Sequence, residues 1–426
     1  MSAEVTFKQA AVNLANAWKL KVPASVKAHL ASPTFDAMDD SFIREVSSAI
    51  HAKLPAPTPT PAPVQPFTVD AIKNAEAGTI VYVPSGTFPG AVAIPDGVSV
   101  AGAGLGLSWL RGRITYGSND AVSGVKLGDA GMAIRNRPGA SHTVFRAVQF
   151  RGGGGSDSDS YLLLFADSCD HITLSGCNIE CNLGVEDSDF SHGYNNLRIT
   201  ENAKSGGAHI DSLMLDACHF GVSNGVRNGC PRMDIEAYTW DGGSGSYIHG
   251  WSNLVVTGCV FEPSDWYNID LADAASPSGP HVSGPALIEG CALGGAGNYS
   301  LCIESPNGVV VRNNTIRRGA NNTVKFGCGD MSAVNPGALI TGNVFDLLTD
   351  NGHSLGEPYF YIKGGDNQFV GNTVKAASGS RVFELQQARN NTITGNTLNV
   401  PASATLFVLD NGCGGNVTSP NMVNGV

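Results

Sequence analysis

The stretch that decides the fold reads TIVYVPSGTF at residues 79–88 and AIPDGVSV at residues 93–100. Short runs of β-branched and other apolar residues alternate there with the turn signals Pro-Ser-Gly and Pro-Asp-Gly. Runs of about four to six such residues predict strands joined by tight turns. The chain from residue 67 onward is therefore predicted to be all-β.

The same pattern recurs further along the chain with one position held in register. TLSGCNI at 173–179, VVTGCVF at 255–261 and LITGNVF at 339–345 align on their fifth residue. The full column contains Val148, Cys177, Cys218, Cys259, Cys291, Asn314, Asn343, Asn372, Asn396 and Asn416. Coils of a little over about twenty residues, lengthened by loop insertions, explain its spacing. The asparagines then predict a hydrogen-bonded ladder, and the thiols predict packing in the same slot, since their spacing fits no zinc motif.

These coils resemble the first coils of the pectin-lyase-like superfamily, over residues 67 to about 418. The resemblance implies a right-handed parallel β-helix, a solenoid of stacked rungs. The catalytic motifs of polygalacturonases, pectate lyases and mannuronan epimerases are missing, and only SHG at 191–193 and IHG at 248–250 come near one of them. The resemblance therefore implies a fold and no catalytic residue.

The N-terminal region has a different composition. Phe7, Ala11, Leu14 and Trp18 mark one face of a helix, and a further helix is predicted over about 35–54. Residues 1–54 are thus predicted to form a small α-helical anchoring or oligomerisation module. Residues 55–66, PAPTPTPAPVQP, favour polyproline II and predict a semi-rigid linker. A short helix over 69–77 is expected to cap the β-helix that fills residues 67–426.

Aromatic and acidic residues are concentrated between residues 232 and 273, where the longest insertions fall. Aromatic faces stack on sugar rings and carboxylates accept hydrogen bonds from hydroxyl groups, which predicts a glycan-binding groove. The candidate glycan-binding residues are Asp234, Tyr238, Trp240, Asp241, His249, Trp251, Glu262, Asp265 and Trp266. The alternative is that the aromatic residues pack insertion loops onto the coil and the acids keep the surface soluble.

Two carboxylates of this segment are candidates for catalysis. Glu236 and Asp270 each follow an isoleucine predicted to point inward, so both are hypothesised to face one groove. A carboxylate pair could cleave a glycosidic bond. Alternation also predicts that His249, Glu304, Lys363 and Glu384 line an outer face, where solvated charge is the simpler interpretation.

A helical module and a proline spacer ahead of a β-helix resemble the layout of a bacteriophage tailspike, tail fibre or other virion appendage. That resemblance implies docking to virion proteins through residues 1–54, binding of host cell-surface polysaccharide, a homotrimer, and location in the virion. The alternative is a polysaccharide hydrolase or lyase of the pectin-lyase fold. Enzymatic activity is thus left open.

Composition excludes other classes. A net charge of −11 disfavours nucleic acid as a partner. No apolar run approaches the roughly 20 residues of a membrane span, and the start of the chain lacks the features of a secretory signal peptide. No metal or cofactor is predicted, because the Asp-rich runs near residues 157–159 and 187–189 are typical of solvated loops.

Overall fold

A computed structural model gives the structure of the protein. The chain divides into two units, Met1–Pro66 and Phe67–Val426. The structure describes residues 67–128, 134–152, 161–165, 168–181, 195–200, 210–222, 233–239, 251–264, 267–273, 284–303, 308–319, 322–326, 337–348, 358–377 and 381–425. The predicted helical module at 1–54 and the linker at 55–66 lie outside the described residues.

The described strands form three sheets in which every pairing is parallel, and strands are numbered in chain order. The first sheet contains β1 (Ile80–Val83), β4 (Ser99–Gly102), β7 (Ala121–Ser123), β10 (Ala140–Ser141), β11 (Val144–Arg146), β14 (Cys169–Ser175), β17 (Ile210–Asp216), β20 (Trp251–Ser252), β21 (Leu254–Thr257), β24 (Ala286–Glu289), β27 (Val309–Arg312), β30 (Leu339–Thr341), β33 (Gln368–Val370) and β36 (Thr392–Thr394). The second contains β2 (Gly86–Pro89), β5 (Ser108–Arg111), β8 (Lys126–Leu127), β12 (Gln149–Gly152), β15 (Asn178–Cys181), β18 (His219–Val222), β22 (Val260–Phe261), β25 (Ala292–Leu293), β28 (Thr315–Arg317), β31 (Val344–Leu347), β34 (Thr373–Ala376), β37 (Thr397–Val400) and β39 (Met422–Gly425).

The third sheet contains β3 (Val92–Ala93), β6 (Ile114–Tyr116), β9 (Ile134–Asn136), β13 (Tyr161–Phe165), β16 (Asn195–Thr200), β19 (Met233–Thr239), β23 (Tyr267–Asp273), β26 (Tyr299–Ile303), β29 (Asn322–Phe326), β32 (Phe360–Gly365), β35 (Arg381–Arg389) and β38 (Thr405–Leu409). Neighbours in each sheet are strands from successive coils of the chain. Each coil, or rung, therefore contributes a strand to each of the three sheets. The predicted all-β solenoid, a parallel β-helix, is confirmed.

The helix that precedes the first strand is shorter than predicted. It is a single turn, α1 (Asp70–Lys73), rather than a helix over 69–77. Its side chain Ile72 is fully buried and belongs to the hydrophobic core. One buried residue therefore places the helix against the apolar interior of the first rungs, as expected for a solenoid cap.

The core consists of stacked columns of like side chains. Register places Val324, Phe360 and Phe383 on one inward column of the third sheet. The rings of Phe360 and Phe383 stack with centroids 4.9 Å apart and an interplanar angle of 24°. Burying each such ring contributes about 1.5–3 kcal/mol, and stacking equivalent residues on successive rungs lets every coil bury its apolar face against the next.

The asparagine ladder is present, with one change at its end. The side-chain amide of Asn314 donates to Asn343, that of Asn343 to Asn372, and that of Asn372 to Asn396. The last donor bond runs from Asn396 to Asn421, at 2.9 Å. The assignment of Asn416 to this column is therefore wrong.

Asn416 belongs instead to a second ladder that the sequence analysis missed. The amide of Asn367 donates to Asn391, and that of Asn391 donates to Asn416. Since Asn367 precedes β33 and Asn372 follows it, the two ladders flank the strands of the first sheet near the C-terminal end of the β-helix. Both ladders satisfy backbone groups that the bends of the coil would otherwise leave unpaired.

The four thiols of the column are buried packing residues, as predicted. Cys177, Cys218, Cys259 and Cys291 are free and essentially inaccessible. The Cys259 sulfur lies 3.5 Å from the carbonyl oxygen of Leu215 and 3.4 Å from that of Thr257. The amide of Asn343 bonds the equivalent pair of carbonyls. Thiol and amide therefore occupy the same slot and contact equivalent backbone acceptors.

Candidate functional site

The third sheet carries a column whose register position faces outward, although its members Asp270 and Cys302 are buried. Inward columns containing Ile269 and Leu271 lie on either side of it, and both of those residues are fully buried. Register aligns the column from β19 to β35 as Glu236, Asp270, Cys302, Lys325, Tyr361 and Glu384. We call these six residues the outer ladder. Parallel strands are about 4.8 Å apart, so the ladder spans five such steps along the β-helix.

A hydrogen-bonded network holds the C-terminal end of the outer ladder in place. The hydroxyl of Tyr361 donates to Oε1 of Gln386. The amide of Gln386 in turn donates to Oε1 of Glu384, 3.3 Å away. Oε2 of the same carboxylate accepts a bond from Arg381. These hydrogen bonds fix the orientation of the Tyr361 phenol, because its acceptor Gln386 is itself held by Glu384.

The environment of Tyr361 keeps its phenol protonated. Burial and the nearby carboxylate of Glu384 raise the pKa of Tyr361 above its usual value, and the ammonium of Lys325 opposes them. A tyrosine with a raised pKa keeps its proton throughout the neutral range and is a weaker acid than a free tyrosine. The outer ladder thus places a protonated phenol between a cation and a carboxylate on adjacent rungs.

Aromatic rings lie beside this network. Tyr267 and Tyr299 stack on neighbouring rungs with centroids 5.4 Å apart and an interplanar angle of 26°. Nζ of Lys325 lies 4.9 Å from the centroid of the Tyr299 ring. Stacked rings with an adjacent cation offer apolar faces to sugar rings and a positive charge to an acidic substituent.

Register brings the two predicted catalytic carboxylates onto adjacent rungs. Glu236 in β19 and Asp270 in β23 are direct Cα partners. The side chain of Asp270 is only 6% exposed, so it is more buried than an outward-facing residue in this position is expected to be. The hypothesis that both residues share one surface therefore agrees with the backbone register, and their catalytic role stays a prediction.

Two predicted glycan-binding residues do not lie on an outer surface. Asp234 is fully buried, and its carboxylate accepts a 2.9 Å bond from the amide of Asn268. That amide also donates to Ser264 and to the carbonyl of Glu262, so Asp234 belongs to an internal polar corner. Trp251 is 1% exposed and belongs to the hydrophobic core. This burial does not fit the predicted role of Asp234 and Trp251 in a glycan-binding groove.

The remaining candidates are placed only in part. Glu262 is half-exposed, and Oε1 of its carboxylate lies 3.3 Å from Nε2 of His219 at the edge of the second sheet. The backbone of Tyr238 lies in β19, next to the outer ladder. The other five predicted binding residues lie outside the described part of the chain: Trp240, Asp241, His249, Asp265 and Trp266.

Sequence reasoning missed Lys325 and Tyr299, and it identified Lys363 rather than Tyr361 as the outward residue of its strand. Ile362 is buried, and the residues on either side of it are both partly exposed. The signal was available in the inward column. Once Val324, Phe360 and Phe383 are aligned, the residues that follow them are Lys325, Tyr361 and Glu384.

Two further features bear on ligands and location. One group of side chains among the described residues could hold a metal ion, namely His142, Asp170 and His171 on the first sheet. A search of the same residues for membrane spans finds no helix that is both long and apolar enough.

Comparison with known proteins supports the fold. The family model described as a right handed beta helix region matches residues 244–421. This match and the sheet topology agree on a right-handed parallel β-helix. A sequence search of curated proteins finds no match.

Several solved structures are similar to this chain over most of its length. DFA-IIIase from Arthrobacter chlorophenolicus A6 is 12% identical, with 90% of this chain and 94% of that chain covered and a TM-score of 0.45. The mannuronan C-5 epimerase AlgE4 A-module of Azotobacter vinelandii is 14% identical, with 84% and 92% covered and a TM-score of 0.40. A mannuronic acid specific polysaccharide family 6 lyase from human gut microbiota is 11% identical, with 84% and 77% covered and a TM-score of 0.46. At these identities the similarity concerns the fold alone.

Proposed function

We propose that this protein is a polysaccharide-processing enzyme, a lyase or hydrolase, whose substrate lies along the outer ladder of the third sheet. The observation that carries the proposal is the register that aligns Glu236, Asp270, Lys325, Tyr361 and Glu384 on one column. A linear polymer lying along the β-helix axis would meet the partly exposed Lys325, Tyr361 and Glu384 on successive rungs, whereas Cys302, between Asp270 and Lys325, is fully buried.

The described side chains favour an acidic polysaccharide. Lys325 supplies positive charge for a sugar carboxylate, and the Tyr267–Tyr299 stack supplies aromatic faces for sugar rings. In β-elimination a base removes the proton next to the carboxylate, the glycosidic C–O bond breaks as a C=C bond forms, and the departing oxygen takes a proton. Tyr361 is the group placed to give that proton.

Hydrolysis would use the other end of the outer ladder. One carboxyl group of the Glu236 and Asp270 pair would protonate the glycosidic oxygen, and the other would attack the sugar or activate water. Carboxyl groups about 5–5.5 Å apart retain the configuration, and groups about 6.5–9.5 Å apart invert it. Adjacent rungs, about 4.8 Å apart, are compatible with the first arrangement.

The test is incubation of the full chain with acidic and neutral polysaccharides of bacterial and plant origin. Unsaturated uronates absorbing in the ultraviolet would show elimination, and new reducing ends without that absorbance would show hydrolysis. The matched control is Glu289→Gln, which removes an exposed carboxylate of the first sheet that pairs with Arg312. The proposal is overturned if the protein cleaves none of the polysaccharides and if none of them slows its migration in affinity electrophoresis.

A second candidate is a virion appendage, which we propose on the division of the chain. The chain separates into Met1–Pro66 and Phe67–Val426, with the proline-rich run immediately before the boundary. In this role residues 1–54 dock to virion proteins, the β-helix assembles as a homotrimer, and host cell-surface polysaccharide is the ligand. Antibody against residues 1–54 should then label purified particles, and labelling of no particle would contradict it.

A further inference from the structure

Two histidines occupy equivalent places on successive rungs of the first sheet. Ser141 pairs with Asp170 and Val144 pairs with Thr173, which aligns His142 with His171. Both histidines have left-handed backbone conformations, with φ of 55° and 51°. Since such a conformation turns the chain sharply, both imidazoles project from the same bend, one directly above the other.

The Nδ1 atoms of both imidazoles lie near one carboxylate oxygen. Their rings stack with centroids 4.6 Å apart and an interplanar angle of 4°. Nδ1 of His171 lies 3.3 Å from Oδ1 of Asp170, and Nδ1 of His142 lies 3.8 Å from the same atom. The three ligand atoms all lie within 4.8 Å of one another.

The Asp170 oxygen differs from its equivalent on the next rung. Asp211 is the register partner of Asp170, and its Oδ1 accepts bonds from the Ser252 hydroxyl and from the Asn253 amide at 2.7 Å. Oδ1 of Asp170 is shielded from solvent, and no hydrogen-bond donor among the described residues reaches it. The two imidazole nitrogens beside it can offer lone pairs in their neutral form. A cation bound by all three atoms would pair them once the two rings turn out of their parallel stack, because a metal ion lies in the plane of each imidazole that binds it.

We propose that His142, His171 and Asp170 form a binding site for a transition-metal dication of the Zn²⁺ type. Zinc bonds to nitrogen and carboxylate oxygen are about 2.0–2.2 Å long, which places ligand atoms of a tetrahedral site roughly 3.3–3.6 Å apart. The two Nδ1–Oδ1 distances of 3.3 and 3.8 Å are close to that separation. Imidazole ligands favour Zn²⁺, Ni²⁺ or Cu²⁺, whereas Ca²⁺ and Mg²⁺ prefer all-oxygen sites.

The site would join consecutive coils of the β-helix. Its ligands are His142, which lies just before β11, and Asp170 and His171, which lie near the start of β14. A bound metal ion would therefore link these two successive coils. The side chains of His142 and His171 are 61% and 55% exposed, so a fourth ligand position would be open to solvent. The site lies on the first sheet, whereas the outer ladder lies on the third.

The test compares Zn²⁺ binding by the full-length protein and by the double variant His142→Asn/His171→Asn. Asparagine is the matched replacement because Asn119 and Asn253 hold the equivalent positions with φ of 58° and 52°. We expect titration calorimetry to show that the double variant binds one Zn²⁺ fewer per chain than the unsubstituted protein. The rise in Tm that Zn²⁺ causes should also be smaller in the variant. Ca²⁺ should produce neither effect, and the control His219→Gln should bind as the unsubstituted protein does.

Equal Zn²⁺ stoichiometry in the unsubstituted protein and a folded double variant would overturn the proposal. A second measurement needs no variant. Zn²⁺ should protect His142 and His171 from carbethoxylation by diethylpyrocarbonate, read by peptide mass spectrometry, while His219 stays reactive. If both histidines react at the same rate with and without Zn²⁺, the site does not bind the metal.

Discussion

The side-chain amide of Asn343 donates to Oδ1 of Asn372, 3.0 Å away, and the backbone N–H of Asn343 donates to the same oxygen at the same distance. One side-chain oxygen therefore accepts two bonds from the rung before it. The amide of Asn343 also donates to the carbonyl of Val311 at 2.9 Å. Each asparagine thus joins three rungs, through groups that are buried from solvent.

Replacing Asn343 by alanine should strongly destabilise the β-helix. The change leaves the backbone N–H of Asn314 without its buried side-chain acceptor and removes the amide bond to the carbonyl of Val311. Each unsatisfied buried group costs about 1–3 kcal/mol, so we expect a loss of about 3 kcal/mol in the free energy of unfolding. Urea denaturation followed by circular dichroism measures it.

The chain offers a matched control for that substitution. Asn424 donates to Asn399 across neighbouring rungs of the second sheet, but this pair is exposed. Because water replaces the lost bond, Asn424→Ala should change stability by less than about 0.5 kcal/mol. Equal effects at the two positions would show that the ladder adds nothing beyond an ordinary surface bond.

Two of the stacked thiols, Cys177 and Cys259, should resist alkylation in the native protein. The neighbouring thiol of Cys218 and burial raise the pKa of Cys177, and the thiols of Cys218 and Cys291 together with burial raise that of Cys259. Thiolate is the reactive form, so both residues should stay unlabelled by iodoacetamide even at pH 9. Among the seven cysteines whose side chains the structure describes, half-exposed Cys413 should react first. Peptide mass mapping with and without denaturant distinguishes these outcomes, and rapid native labelling of Cys259 would contradict the burial.

The repeating part of the fold could be predicted from sequence because each coil repeats the same local signals. The error at Asn416 shows where that reasoning fails. Both ladders advance by about one coil near the C-terminus, with Asn391 and Asn416 separated by 25 residues, as are Asn396 and Asn421. The sequence alone does not say which asparagine continues which ladder. The interval of 20 residues from Asn396 to Asn416 was shorter than every other spacing in the column and was the available warning.

The site could be predicted less well because side-chain direction changes at the corners of the coil. Strict alternation places Asp234 outside, yet Asp234 and Ile235 are consecutive and both fully buried. His142 and His171 carried a usable signal, since they are 29 residues apart, as are Val148 and Cys177 of the column. Their shared left-handed conformation, however, is a backbone property that single residue types indicate poorly.

Asp120 should make stability depend on pH in the weakly acidic range. Burial raises the pKa of Asp120 to about 6, against hydrogen bonds from the backbone N–H groups of Gly117, Val98 and Gly97 that lower it. Because the folded pKa lies above the unfolded value, the stability that Asp120 contributes is present below about pH 4 and is lost as pH rises through about 6.

The variant Asp120→Asn isolates that effect. The stability difference between the variant and the unsubstituted protein should shift in favour of the variant between pH 4 and pH 7, measured by urea denaturation at each pH. The ¹³C shift of the Asp120 carboxyl should titrate with a midpoint near 6. A midpoint below 4 would mean that the backbone hydrogen bonds outweigh burial.

Tyr361→Phe tests the proposed proton donor directly. The substitution removes only the hydroxyl that bonds Gln386, so the fold should be retained while kcat on the cleaved polysaccharide falls by at least about 10²-fold. The KM of the Tyr361→Phe variant should change little. The Lys325→Met variant should instead mainly raise KM for acidic substrates. Since the pKa of Tyr361 is raised, activity should persist on the alkaline side beyond about pH 10. Tyr82→Phe, at an exposed tyrosine of the first sheet, is the control. Equal activity of the two phenylalanine variants would remove Tyr361 from the mechanism.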